Sequence, residues 1–182
     1  MELKFVNKKS LAVIGLIGTC ILILLIRQYG IGITPDSAFY ISVARHIADG
    51  SGFVGYDGDY FVLEPPLYPI MLAAIKKILF TDPLISAGYL NAILSGLIIY
   101  FSGLLLSMNL KSFLLTITGT VSVLVSFVFI QIFLNALSEP LFILFVLLYL
   151  YYFNIYRIKG TVSSLLLFST AAALACLTRY VG

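Results

Sequence analysis

Long apolar stretches, separated by short polar segments, constrain this chain more than any other feature of its sequence. A helix that crosses the roughly 30 Å hydrocarbon layer of a membrane needs about 20 mostly apolar residues. Five stretches are candidates, and the last of them is short: residues 10–26, 84–107, 113–133, 140–156 and 162–177. Only 10% of the residues are charged, against roughly 25% in soluble domains. The sequence therefore predicts an all-α, multi-spanning membrane helix bundle that forms a single membrane domain over residues 1–182.

The N-terminal stretch also has features of a secretory signal peptide, because lysines precede an apolar run. That run continues for six residues past Cys20, and Thr19 is a poor residue for a lipoprotein cleavage point. Both observations favour an uncleaved membrane anchor. Cys20 and Cys176 lie inside apolar stretches, where a free thiol behaves as a small hydrophobic group.

The charges near the span ends predict the orientation. A cytoplasmic N-terminus places six basic residues and one acidic residue inside, namely Glu2, Lys4, Lys8, Lys9, Lys111, Arg157 and Lys159. The outside then carries five basic and seven acidic residues. Basic residues in short cytoplasmic loops are typical of membrane proteins. We expect a multi-pass protein of a prokaryotic cell membrane, and the scattered charges show no surface for nucleic acid.

Most of the acidic residues fall in one long external loop, residues 27–82, which should contain structure of its own. Residues 35–49 and 67–80 have the apolar periodicity of amphipathic surface helices. For the first, either Thr34 or Asp36 is the predicted cap, and Gly50 is the predicted end. The glycine-rich segment 52–60 between them predicts an ordered turn or hairpin.

Three charged residues at predicted span ends are candidates for function. Asp36 either stabilises the start of its helix or acts as a base held above the bilayer. Glu139 lies in Ser138-Glu-Pro140, which is explained either by Ser138 capping the fourth span or by a functional carboxylate near hydrocarbon. Arg179 either extends to the interface or binds a phosphate. The predicted topology puts all three on the outer side.

Several short motifs, in this order along the chain, resemble the N-terminal part of the GT-C membrane glycosyltransferases. The nearest groups are the protein O-mannosyltransferases and the lipid A aminoarabinose transferases. The motifs are Thr34-Pro-Asp-Ser-Ala-Phe-Tyr40, Ala44-Arg-His-Ile-Ala-Asp-Gly50, Glu64-Pro-Pro-Leu-Tyr-Pro69, Ser138-Glu-Pro140 and Leu177-Thr-Arg179. Members of this family continue for several more spans. The resemblance therefore implies that the chain corresponds to the N-terminal part of a longer transmembrane domain, as a fragment, a truncated gene product or one half of a split enzyme.

The resemblance also implies roles for individual residues. Asp36 corresponds to the catalytic carboxylate that activates the acceptor. Glu139 corresponds to the second external acid, and Arg179 to the base that holds the donor phosphate. Glu64, Tyr40 and His46 lie in the matching motifs and are further candidates for substrate binding. Glu64 stands where the aminoarabinose transferases have lysine, which argues against their substrate.

The resulting prediction is a glycosyltransferase that moves a sugar from a polyprenyl-phosphate donor to a protein, lipid or glycan acceptor at the outer membrane face. The sequence indicates no cofactor and leaves a divalent cation open, for which carboxylates would have to be the ligands. A fragment of a lipid or small-solute transporter is an alternative, although its ionisable groups should lie near mid-span. A non-catalytic membrane subunit is another alternative. It does not explain why Asp36, Glu139 and Arg179 are all predicted on the same side of the membrane.

Overall fold

A computed structural model describes residues 7–61 and 64–180, so Glu2 and Lys4 of the charge count lie outside the described residues. Within these ranges the chain is helical without strands. Its eight helices are α1 (Lys8–Tyr29), α2 (Pro35–Asp49), α3 (Leu67–Leu79), α4 (Pro83–Asn109), α5 (Phe113–Leu124), α6 (Phe127–Phe133), α7 (Glu139–Lys159) and α8 (Val162–Thr178).

The structure confirms the all-helical class and has helices long and apolar enough to cross a membrane. Helices α1, α4 and α7 meet this criterion, and α5 with α6 can form one further, bent span. The predicted number of five transmembrane helices is not confirmed, because α8 has 17 residues, fewer than the roughly 20 that a straight span needs.

The third predicted span, residues 113–133, is broken into α5 and α6, which meet at an angle of 47°. The break lies at Val125 and Ser126. The Ser126 side chain accepts a hydrogen bond from the Phe129 amide and so caps a new helix. The prediction of one continuous helix was therefore wrong at this point.

Helices α1 and α4 form a closely packed antiparallel pair. Gly15 and Gly96 lie where the two backbones approach, and a Cβ atom on Gly15 would come within 2.6 Å of the Gly96 carbonyl oxygen. Nearer the ends of the pair, Gly88 lies against Ile26 and Gly103 against Leu11. Small residues commonly allow such close helix contacts in membranes.

Helices α7 and α8 form a second antiparallel pair. Phe168 of α8 packs against Tyr149, Phe153 and Tyr156 of α7, with ring centroids 5.4 to 5.9 Å apart. This pairing brings the start of α7 next to the end of α8. We call this end of the bundle, where α1, α6 and α8 end and α4 and α7 begin, the loop end.

Helices α2 and α3 cover the loop end. Helix α2 has the predicted bounds, with Thr34 accepting a hydrogen bond from the Ser37 amide and Gly50 in the left-handed conformation at the other end. Helix α3 ends at Leu79, one residue before the predicted end. Residues 53–61, between the two helices, form a short hairpin, in which Phe61 donates a backbone hydrogen bond to Phe53.

Two exposed ion pairs connect α2 to its neighbours, one to the start of α4 and one to α3. Arg45 of α2 donates two hydrogen bonds of 3.0 Å to Asp82, the residue that caps α4. These bonds lower the pKa of the Asp82 carboxyl, which therefore stays ionised at neutral pH. Lys76 of α3 pairs with Asp49 of α2 at 2.7 Å. Below them, buried residues of α2, α3, α4 and α7 form one continuous apolar core.

Replacing Gly15 with valine should destabilise the bundle by about 1–3 kcal/mol, because the new side chain meets the α4 backbone. Leu16→Val is the matched control, since Leu16 lies on the same helix with 65% of its surface exposed. Unfolding in detergent by titration with sodium dodecyl sulfate measures both variants. Equal midpoints for Gly15→Val and the unsubstituted protein would contradict this packing.

Candidate functional site

The segments that precede α2 and α7 pair with each other at the loop end. Gly32 and Asn135 form an isolated parallel β-bridge, with hydrogen bonds of 2.7 Å from the Gly32 amide to Leu134 and 3.0 Å from the Ala136 amide to Gly32. A Cβ atom on Gly32 would force the Asn135 side chain to move, so glycine favours this close approach. Each strand-like segment then leads into a helix with an acidic residue in its first turn, Asp36 in α2 and Glu139 in α7.

An ion pair joins the start of α7 to the end of α8. The Arg179 Nη1 atom lies 2.6 Å from the Glu139 Oε1 atom, and the two side chains are 35% and 29% exposed. The pair is therefore partly shielded from solvent, which strengthens its electrostatic attraction. The second carboxylate oxygen of Glu139, Oε2, is buried and has no hydrogen-bond partner in the described part of the chain.

Tyr40 connects this ion pair to the first loop. Its hydroxyl donates a hydrogen bond of 3.1 Å to Glu64 Oε2 and accepts one of 3.5 Å from the Ser138 hydroxyl. Arg179 donates a 3.4 Å bond to the same Ser138 oxygen. The result is one chain of polar contacts, Glu64–Tyr40–Ser138–Arg179–Glu139, which we call the polar chain. The two contacts to Ser138 are long and individually weak.

Burial raises the pKa of Tyr40 to about 12; the hydrogen bond with Ser138 opposes this shift, and Glu64 adds to it. The Tyr40 hydroxyl therefore keeps its proton at neutral pH. It can donate a hydrogen bond but cannot serve as a base. Its position in the polar chain suits a residue that holds other groups in place.

Tyr68 of α3 lies beneath the polar chain and was not among the residues predicted from the sequence. Its ring packs edge-to-face on Tyr40, with centroids 5.3 Å apart. The side chain is fully buried, and its hydroxyl has no hydrogen-bond partner in residues 7–61 and 64–180. Burial raises the pKa of Tyr68 above its usual range, and the neighbouring Tyr40 and Glu139 add to this shift. The Pro-Pro-Leu-Tyr sequence was the only signal that pointed to this position.

Ser138 was predicted as a helix cap, and its role in the structure is different. It occupies the cap position of α7, but its side chain makes no capping hydrogen bond. The hydroxyl is buried and contacts Tyr40 and Arg179 instead. No pattern in the local sequence distinguishes these two uses of a serine before a helix.

The remaining predicted residues lie outside the polar chain. Asp36 is exposed in the first turn of α2, and it has no ion pair or side-chain hydrogen bond with any other described residue. It precedes Tyr40 by one helical turn and so shares its face of α2. His46 lies further along α2, where its Nδ1 atom is 2.6 Å from the Val54 carbonyl oxygen. That contact fastens the hairpin to α2, and a substrate-binding role for His46 stays a prediction.

A divalent cation has no evident site of its own here. In the described ranges, no group of three or more His, Cys, Asp or Glu side chains could hold a metal ion together. Glu139 is already engaged by Arg179, and Glu64 by Tyr40. The possible cation stays a prediction.

No protein-family model, no curated protein and no solved structure matches the chain. These comparisons assign neither a family nor a function. The chemistry of the site is therefore inferred from the residues and contacts described above.

Replacing Tyr40 with phenylalanine should cost about 1–3 kcal/mol of unfolding free energy, because Glu64 and Ser138 lose their shared partner in a partly buried setting. The ring contacts with Tyr68 are retained. Tyr60→Phe in the hairpin is the control, since Tyr60 is 79% exposed. Denaturant titration in detergent measures both variants, and equal stability of Tyr40→Phe and Tyr60→Phe would show that the polar chain contributes nothing.

Proposed function

We propose that this chain forms part of a membrane glycosyltransferase of the GT-C type, similar to protein O-mannosyltransferases and lipid A aminoarabinose transferases. It would move a sugar from a polyprenyl-phosphate donor to an acceptor at the outer membrane face. In this proposal α8 crosses the membrane as a fifth span, and the loop end faces outward. One observation carries the proposal. Arg179 forms an ion pair with Glu139, and the polar chain links it to a second acidic residue, Glu64.

The position of this cluster fits a lipid-linked phosphate donor. The isoprenoid tail of such a donor stays in the bilayer, and its phosphate and sugar lie at the level where the apolar helices end. Arg179 directly follows the last residue of α8, and Glu139 is the first residue of α7. A guanidinium group binds phosphate oxygens through two parallel hydrogen bonds, which makes arginine suitable at this level.

Asp36 is the residue best placed to act as the base. It is exposed, and the described residues offer its carboxylate no competing ion pair. In the transfer step, the acceptor hydroxyl oxygen bonds to the anomeric carbon while the bond from that carbon to the phosphate oxygen breaks. Asp36 takes the hydroxyl proton, and the lipid phosphate leaves with the electron pair. A single displacement of this kind inverts the anomeric centre.

Glu139 has a second role in this proposal, because it competes with the phosphate for Arg179. The 2.6 Å ion pair must open or be shared before the guanidinium group can bind a donor. The site would therefore exchange one anionic partner of Arg179 for another. Substitutions of Arg179 and of Glu139 should therefore change the affinity for the lipid phosphate in opposite directions.

Arg179→Ala should weaken the binding of undecaprenyl phosphate by about tenfold or more, because a charge-assisted contact with the phosphate is lost. Glu139→Gln should strengthen it, since the competing carboxylate becomes neutral. Arg157→Ala is the matched control, because Arg157 is exposed at the opposite end of α7. Binding is measured by native mass spectrometry of the detergent-solubilised protein. Unchanged binding by Arg179→Ala would overturn the proposed phosphate site.

Asp36→Asn, tested in the complete enzyme, should reduce turnover by roughly 10²- to 10⁴-fold and leave undecaprenyl phosphate binding unchanged, because only the proton acceptor is lost. Asp59→Asn serves as the control in the exposed hairpin. Transfer of a radiolabelled sugar from the lipid donor is the measurement. Near-normal transfer by Asp36→Asn would remove this residue from the proposed mechanism.

A further inference from the structure

A cavity of about 400 Å³ lies between the end of α1 and the start of α4, separate from the polar chain. Its walls are apolar and include Ile23 and Ile26 of α1, and Leu84 and Ile85 of α4. Arg27 and Tyr89 are its polar lining residues. Ile85 and Tyr89 are 52% and 45% exposed, so the cavity opens on the outer surface of the helix pair. We call it the α1–α4 slot.

Two glycines line the slot. Gly88 allows α4 to approach α1 closely, since a Cβ atom there would come within 3.2 Å of Ile26 and 3.7 Å of Ile31. Gly30 ends α1 with a positive φ of 76°, a conformation that other residues rarely adopt. The slot volume lies within the range of about 300–1,000 Å³ that is usual for small-molecule sites.

Arg27 gives the slot a positive charge that the protein itself does not balance. It lies in the last turn of a candidate membrane span, its side chain is exposed, and no acidic side chain of the described ranges pairs with it. An arginine close to hydrocarbon is costly unless an anionic or polar group accepts its hydrogen bonds. Apolar walls with one cation among them match a ligand that has a hydrocarbon chain and an anionic head.

We propose that the α1–α4 slot binds an anionic phospholipid of the surrounding bilayer. One acyl chain lies along the isoleucines and Leu84, and the lipid phosphate accepts hydrogen bonds from Arg27. This site is independent of the proposed glycosyl transfer, because it uses neither Arg179 nor either acidic residue of the polar chain. A bound lipid contacts Ile31, which directly precedes the β-bridge at Gly32.

The absence of tryptophan from the chain allows a direct test. A Tyr89→Trp variant carries a single fluorophore at the slot, and it is reconstituted in phosphatidylcholine vesicles. Quenching by brominated phosphatidylglycerol is then compared with quenching by brominated phosphatidylcholine. We expect phosphatidylglycerol to be preferred by about fivefold at this position, as a single basic residue next to an anionic lipid predicts. The control is Val128→Trp, a position that is 65% exposed on α6, a helix without basic residues.

Second substitutions in the Tyr89→Trp background identify the cause of the preference. Arg27→Gln should abolish it, and Arg27→Lys should retain most of it. Three results would each overturn the proposal: equal quenching by the two lipids at position 89, a preference that survives Arg27→Gln, and no quenching by either lipid. The last result would mean that protein, such as a second copy of the chain, covers the slot.

Discussion

The buried amide of Asn91 holds the loop end of the bundle together. Its nitrogen donates hydrogen bonds of 3.0 and 2.8 Å to the carbonyl groups of Phe133 and Asn135, where α6 ends. In an apolar setting, an unpaired backbone carbonyl costs several kcal/mol. Asn91 of α4 therefore supplies hydrogen-bond donors to carbonyl groups that have none within α6. Asn135, held in this way, pairs with Gly32 and so fixes the segment that leads into α2. The positions of Asp36 and Glu139 both follow from this arrangement.

The break between α5 and α6 is part of the same arrangement. In the broken helix, the carbonyl groups of Phe133 and Asn135 lie within hydrogen-bond distance of the Asn91 amide. Ser126 caps the new helix, and α6, bent by 47° from α5, contacts α4. The local cost of breaking a helix is offset by hydrogen bonds from a residue more than forty positions earlier in the chain.

Local chemistry determined which parts of the fold could be predicted from the sequence. Thr34, Pro35 and Gly50 specify the ends of α2 within a few residues, and both ends were predicted correctly. The break at Ser126 could not be predicted, because one serine in an apolar stretch is compatible with a continuous helix. Periodicity also gave no sign of the Asn91 bonds, since contacts over forty positions depend on how whole helices pack.

The candidate site shows the same limit. Asp36, Glu139 and Arg179 were chosen because charges near hydrocarbon need an explanation, and the structure brings Glu139 and Arg179 into contact. The sequence did not indicate that Ser138 would turn its hydroxyl to Tyr40 and Arg179. A hydroxyl at a helix start has two possible sets of partners, and tertiary packing decides between them.

Tyr68 bears on how the Arg179–Glu139 ion pair could open. Moving Arg179 to a phosphate would leave the carboxylate of Glu139 partly buried without a cation, which is unfavourable in a setting of low polarity. The Tyr68 hydroxyl is a buried donor without a partner, and the Glu139 Oε2 atom is a buried acceptor without one. The Tyr68 ring packs on Tyr40, and the Tyr40 hydroxyl contacts the same Ser138 oxygen as Arg179, so both groups lie beside the polar chain. A hydrogen bond from Tyr68 would compensate Glu139 while Arg179 is engaged elsewhere, and this would lower the free-energy cost of exchanging the anionic partner.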